Sequence, residues 1–128
     1  MPSSAGIVLF AHGSRDPLWR APIEAVCERI QSQSPGMPVR CAYLELCAPD
    51  LPTAVQELVA QGAASITVVP MFLGTGKHAR EDLPQLMQAL QAAHPQIKFG
   101  VQTAIGEDPR MTALMASIAC TSAELPPL

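Results

Sequence analysis

The chain is short of charge: only 15% of its 128 residues are Asp, Glu, Lys or Arg, against 48% that are hydrophobic. That balance excludes a disordered segment and predicts a folded globular chain. A basic excess is also missing. The formal net charge is −3, and no long like-charge run stands out, so nothing invites nucleic acid. No apolar run is long enough to span a bilayer, which argues against a membrane protein. No basic stretch followed by a long apolar one lies near Met1, so no secretory signal is expected and the expected location is the cytoplasm. The four cysteines, Cys27, Cys41, Cys47 and Cys120, form no CxxC pair. They read as reduced thiols rather than as a zinc or disulfide framework. The length predicts one domain, residues 1–120, with residues 121–128 as a flexible C-terminal tail.

What is present is an alternation of strand and helix signals. Strands are expected over about residues 5–11, Val39 to Leu44, Ser65 to Met71 and Ile97 to Thr103. Asp16 with Pro17 opens a helix to about Gln33, where Ser34-Pro35-Gly36 breaks it. Asp50 and Pro52 start a second helix that ends at Gly62. A third runs from His78 or Ala79 to about Ala93, stopped by Pro95. Glu107-Asp108-Pro109 opens a fourth, to about Ala119, with Met111 and Met115 read as core. Four βα units predict an α/β fold: a flavodoxin-like open parallel sheet of about four strands with helices on both faces. In that order strands one and three lie side by side, and ligands bind at the carboxyl edge where the order reverses.

Two histidines fall at that edge. His12 follows the apolar run Gly6-Ile7-Val8-Leu9-Phe10-Ala11, and His78 follows the third strand and the loop Gly74-Thr75-Gly76-Lys77. Neutral imidazole binds a divalent metal or accepts a proton. Glu45, in Tyr43-Leu44-Glu45-Leu46, ends the second strand at the same edge, where it either has a partner or faces solvent. The plainer alternative for His12-Gly13-Ser14-Arg15-Asp16-Pro17 is a capped βα turn, with Ser14 or Asp16 as the cap. Gly74-Thr75-Gly76-Lys77 also raises a phosphate or nucleotide loop, but the Walker spacing is absent. His94 reads as a solvated helix end, and Leu18, Trp19 and Met87 as core or interface.

The segments HGSRDP, YLEL, PMFLGTGKHAREDLP and IGEDPRM, in that order from about Gly6 to Ile118, resemble the short class II chelatases of the CbiX/SirB type. Members with two such halves in tandem also exist; this chain has one half. The resemblance implies a lyase-type enzyme that inserts a divalent metal into sirohydrochlorin, in cobalamin or sirohaem biosynthesis. Co²⁺ is the first expectation, with Fe²⁺ and Ni²⁺ as the others. It implies a homodimer, and no permanently bound cofactor, since the metal is a substrate. His12 and His78 match the family's two active-site histidines, and Glu45 its metal-binding acid. One imidazole, with or without Glu45, would take the pyrrole protons; which histidine does so stays open. Arg15, Lys77 and Arg80 are candidate contacts for the substrate's carboxylates, Phe72 and Leu73 would cover the ring face, and Ser14 and Gly74 are further candidate substrate contacts. The histidine-rich stretch and the cluster-binding cysteine pattern of some relatives are absent. A non-catalytic metal or tetrapyrrole carrier would use the same histidines, whereas a phosphate-binding module would not.

Overall fold

The computed structural model describes residues 4–124 and 126. Four strands, β1 (Ala5–Ala11), β2 (Val39–Tyr43), β3 (Ser65–Pro70) and β4 (Lys98–Val101), pair in parallel in the order β2-β1-β3-β4. Between and after them run helices α1 (Pro17–Gln33), α2 (Leu51–Ala60), α3 (Lys77–Ala93) and α4 (Pro109–Ser122), with a 3₁₀ turn at Ile105–Glu107. The central strands β1 and β3 are neighbours, as the sequence predicts.

Three helix starts share one device. Asp16, Asp50 and Asp108 accept from the N–H groups of Leu18, Thr53 and Arg110 at 2.9, 2.9 and 2.8 Å. Each helix then carries proline in its first two positions, where the missing N–H costs no hydrogen bond. Side-chain bonding from Thr53 and from the Arg110 guanidinium, at 2.7 Å for the latter, followed by the backbone N–H groups of the same residues, holds Asp50 and Asp108 below the usual carboxylate range. Gly62, at φ +95°, takes the left-handed position after α2, which a side chain would resist.

Side chains alternate across β1, so Val8 and Phe10 face one way and Leu9 the other. The first face builds the main core with Leu51, Val55, Leu58, Ile66, Val68, Phe72 and Leu83, closed by α2 and α3. The opposite face is thinner: Leu9, Val39 and Val69, with half-buried Ile23, Cys27 and Ile30 from α1. Neither α1 nor α4 carries a fully buried residue. α4 packs chiefly on the 3₁₀ turn, which corrects the reading of Met111 and Met115 as core: both are only half-buried. β4, an edge strand of four residues, is too short to offer α4 a wide apolar floor. α4 also continues through Ser122, where the hydroxyls of Thr121 and Ser122 bond back to Ser117 and Ile118. The expected flexible tail therefore begins as helix; residues 125, 127 and 128 lie outside the described residues.

Cys41 illustrates what the thin face does to a titrating group. Its Sγ lies 3.9 Å from the carbonyl oxygen of Ile23, the helical turn that Cys27 covers. Burial first, then neighbouring Cys27, pushes the thiol from 9.0 to about 12. Below the ordinary value both folded and unfolded chains keep the proton, and stability is unaffected. Between the ordinary and the folded values the unfolded chain releases a proton that the folded chain retains. Stability must then fall as pH rises through that window. Burial raises Tyr43 in the same direction, so it adds to the decline. Urea midpoints measured from about pH 8 to about pH 11 should drop above about pH 9, less steeply in Cys41→Ala. A slope unchanged by that substitution would remove Cys41 as a cause.

Candidate functional site

The carboxyl edge of the sheet is built by three strand exits in register. Ala11 pairs with Tyr43, and Phe10 with Pro70. Backbone bonds then continue past the strands: Leu44 N to Ala11 O at 2.9 Å, Glu45 N to His12 O at 3.0 Å, and Met71 N to Phe10 O at 2.7 Å. His12 is therefore flanked by the Glu45 segment on one side and by the β3 exit on the other. Gly13, at φ +101°, makes this approach possible, because a Cβ there would overlap the carbonyl oxygen of Glu45. Leu46, next to Glu45, is a non-glycine residue at φ 70°, a conformation that side chains disfavour.

The His12 imidazole is exposed and lies against the Phe72 ring, with centroids 4.3 Å apart and planes tilted by 30°. Phe72 in turn meets Phe10 edge-on at 6.1 Å. This corrects the expectation that Phe72 covers a bound ring face. Phe72 is 3% exposed and belongs to the core; it supports the histidine from below. Two apolar residues side by side in sequence, Phe72 and Leu73, point to opposite fates, and only Leu73, 72% exposed, remains available to a ligand.

The loop after β3 is tied down at its far side. Gly106 N donates to Phe72 O at 2.9 Å, and a Cβ on Gly106 would strike the Leu73 backbone. Thr75 Oγ1 donates to Glu107 Oε1 at 3.3 Å. The IGEDP segment thus serves as a brace for the loop that delivers His78. His78 lies in the first turn of α3, and its Nε2 lies 2.6 Å from Asp82 Oδ2 in an i,i+4 ion pair. Sequence reasoning passed over Asp82, although its spacing four residues beyond His78 on a helix was a visible signal.

Ser14 works within its own turn: Oγ accepts from Asp16 N–H at 3.0 Å, while Asp16 caps α1. Arg15, Gly74, Lys77 and Arg80 are exposed, and the three cations make no ion pair among the described residues. Glu45 is exposed as well. Among the described residues no group of three or more His, Cys, Asp or Glu side chains converges at metal-binding spacing. His12 and Glu45 share a backbone link, and His78 begins α3 after the loop that follows β3. Trp19, on the first turn of α1, meets Tyr43 at 6.2 Å and stays 38% exposed beside this edge.

Comparison with known proteins shows the family. Sirohydrochlorin cobaltochelatase from Methanopyrus kandleri is 35% identical over 81 residues, 63% of this chain and 57% of that protein. The chain thus spans less than two thirds of that relative's length. A CbiX protein from Marinobacter aquaeolei VT8, described as putative in cobalamin biosynthesis, superposes with a TM-score of 0.82 at 32% identity, covering 94% of this chain and 98% of that one. SirB from Bacillus subtilis, solved with Fe³⁺, superposes with a TM-score of 0.79 at 27% identity, covering 96% of this chain and 48% of SirB. The CbiX family profile matches residues 6–121, which takes in every strand exit described above and all but the first residue of the sheet, and this chain belongs to the CbiX family.

Proposed function

We propose that this protein is a sirohydrochlorin chelatase, an enzyme that exchanges two pyrrole protons of the macrocycle for a divalent metal. The observation that carries the reading is the delivery of His12, Glu45 and His78 to one sheet edge by three different strand exits. Imidazole and carboxylate suit a first-row divalent ion and leave coordination positions open for macrocycle nitrogens. One imidazole can hold the metal while another base takes protons at the ring nitrogens. Arg15, Lys77 and Arg80, unpaired among the described residues, offer positive charge to the carboxylates on the substrate's rim. Leu73 and Trp19 supply exposed apolar surface for its flat face.

The metal we favour is Co²⁺, after the cobaltochelatases the chain is similar to. Fe²⁺ and Ni²⁺ suit the same ligands. A homodimer is part of the proposal. The chain matches one half of SirB, so a second copy would supply the wall that the other half supplies there. Leu18 on α1, and Leu114 and Ile118 on α4, are exposed at 81%, 52% and 57% and would find cover in such a contact. Among the described residues no helix is long and apolar enough to cross a membrane. The half-buried free thiols suit a reducing cytoplasm.

An anaerobic absorbance time course tests the proposal. The purified chain is mixed with excess sirohydrochlorin and, separately, Co²⁺, Fe²⁺ or Ni²⁺, each against a protein-free control. Many turnovers per site above the control rate are expected, fastest with Co²⁺. A spectral change that stops at one equivalent per site would make the protein a carrier, and no change would remove the chelatase reading.

A further inference from the structure

We infer that Asp82 is a positioning residue for His78, fixing which ring nitrogen the imidazole offers to the metal; the inference rests on the chelatase-site reading above. His78 is 71% exposed at its side chain, in the first turn of a helix whose start, Gly76, has no side-chain cap. Nothing in its immediate packing would hold an imidazole so placed in a single orientation. Asp82 lies one helical turn further on and is itself only 42% exposed at its side chain. Its Oδ2 lies 2.6 Å from His78 Nε2, a close ion-pair contact one helical turn apart. A carboxylate only accepts, so the nitrogen facing it carries the hydrogen. In the neutral ring the lone pair then sits on Nδ1, which is left as the only atom able to ligate a metal. Carboxylates that hold the far nitrogen of a ligating histidine in this way fix ring orientation and raise ligand strength.

The placement of Asp82 gives the contact a direction. The carboxylate lines an open cleft of about 480 Å³ together with Phe10, Tyr43, Asp50, Leu51 and Leu86. Asp82 therefore anchors His78 from the main-core side of the sheet. His12 lies at the β1 exit on the Phe72 ring and is not part of that cleft. The two histidines are thus held by different supports: one by an aromatic face, the other by a carboxylate.

The test uses the full chain and the metal alone. Co²⁺ binding is measured by calorimetry and by visible absorption for the wild type, Asp82→Ala, Asp82→Asn and Asp82→Glu. Asp82→Ala is expected to bind Co²⁺ about 10- to 100-fold more weakly. Asp82→Glu keeps the acceptor and should recover most of the loss, and Asp82→Asn should fall between. Thermal midpoints should stay together, since an exposed pair of this kind contributes little to stability. In turnover, KM for the metal should rise while the affinity for sirohydrochlorin stays constant. Wild-type affinity in Asp82→Ala would overturn the inference, and so would an Asp82→Glu variant as weak as Asp82→Ala. A wild type that binds Co²⁺ but turns over no sirohydrochlorin would remove the chelatase reading, while the Asp82→Ala affinity still decides this one. A wild type that binds no Co²⁺ would overturn both.

Discussion

Alanine at His12 or at His78 is expected to lower metal insertion by about 10²- to 10⁴-fold, the range that a positioned acid–base group supplies. The loss should be larger still where the same imidazole also holds the metal. Either substitution should leave the fold in place. Both side chains are exposed, and neither fills the core. The double variant should be little worse than the worse single one. Groups that act on one metal and one pair of protons form a unit, so removing the first already disables the second. Initial rates with sirohydrochlorin and Co²⁺, compared with urea midpoints for the same proteins, separate the two effects. Multiplicative losses in the double variant would mean that the histidines serve independent steps. Full activity in either single variant would sink the mechanism.

The position of these histidines was legible in the sequence because position follows from the sheet. Apolar runs without polar alternation mark buried parallel strands, and strands one and three become neighbours once the crossovers are right-handed. His12 then falls beside the β3 exit whatever the loops do. The Asp-Pro helix starts were legible for a similar reason, because capping is local chemistry. What could not be read was anything set by contacts between segments. Phe72 and Leu73 are both apolar and adjacent, yet one is core and the other exposed, and the loop that carries them is held by the 3₁₀ turn at Ile105–Glu107, more than thirty residues further along the chain. Met111 and Met115 have helical spacing suited to a core face, but spacing says nothing about whether a floor exists beneath it. β4 is short and lies at the edge, and α4 docks on the turn instead. The pairing of His78 with Asp82 lay between these cases: its spacing was local, but its role depends on where the metal sits.

The substitution expected to cost most stability joins core to site. Phe72 is buried, meets Phe10 edge-on, and carries the His12 imidazole on its other side. Phe72→Ala should lose about 3–5 kcal/mol, from transfer of the ring and from the cavity left behind. The edge-on aromatic pair accounts for about 0.5–1.5 kcal/mol within that cost. Against a total stability of about 5–15 kcal/mol for a domain, this brings the chain near unfolding. In urea, with a slope of about 1–3 kcal/mol per molar, the midpoint should fall by more than about 1 M. Phe72→Leu isolates the second function of the ring. A leucine retains most of the apolar volume and should cost less than about 1.5 kcal/mol, so that protein stays folded. It presents no flat face to His12, however, and the imidazole loses the surface that sets its plane. Chelation by Phe72→Leu should therefore fall by more than its stability does, with the activity loss appearing at temperatures where the variant is fully native. An unchanged rate in folded Phe72→Leu would show that the strand exit alone positions His12, and that the ring beneath it serves only the core.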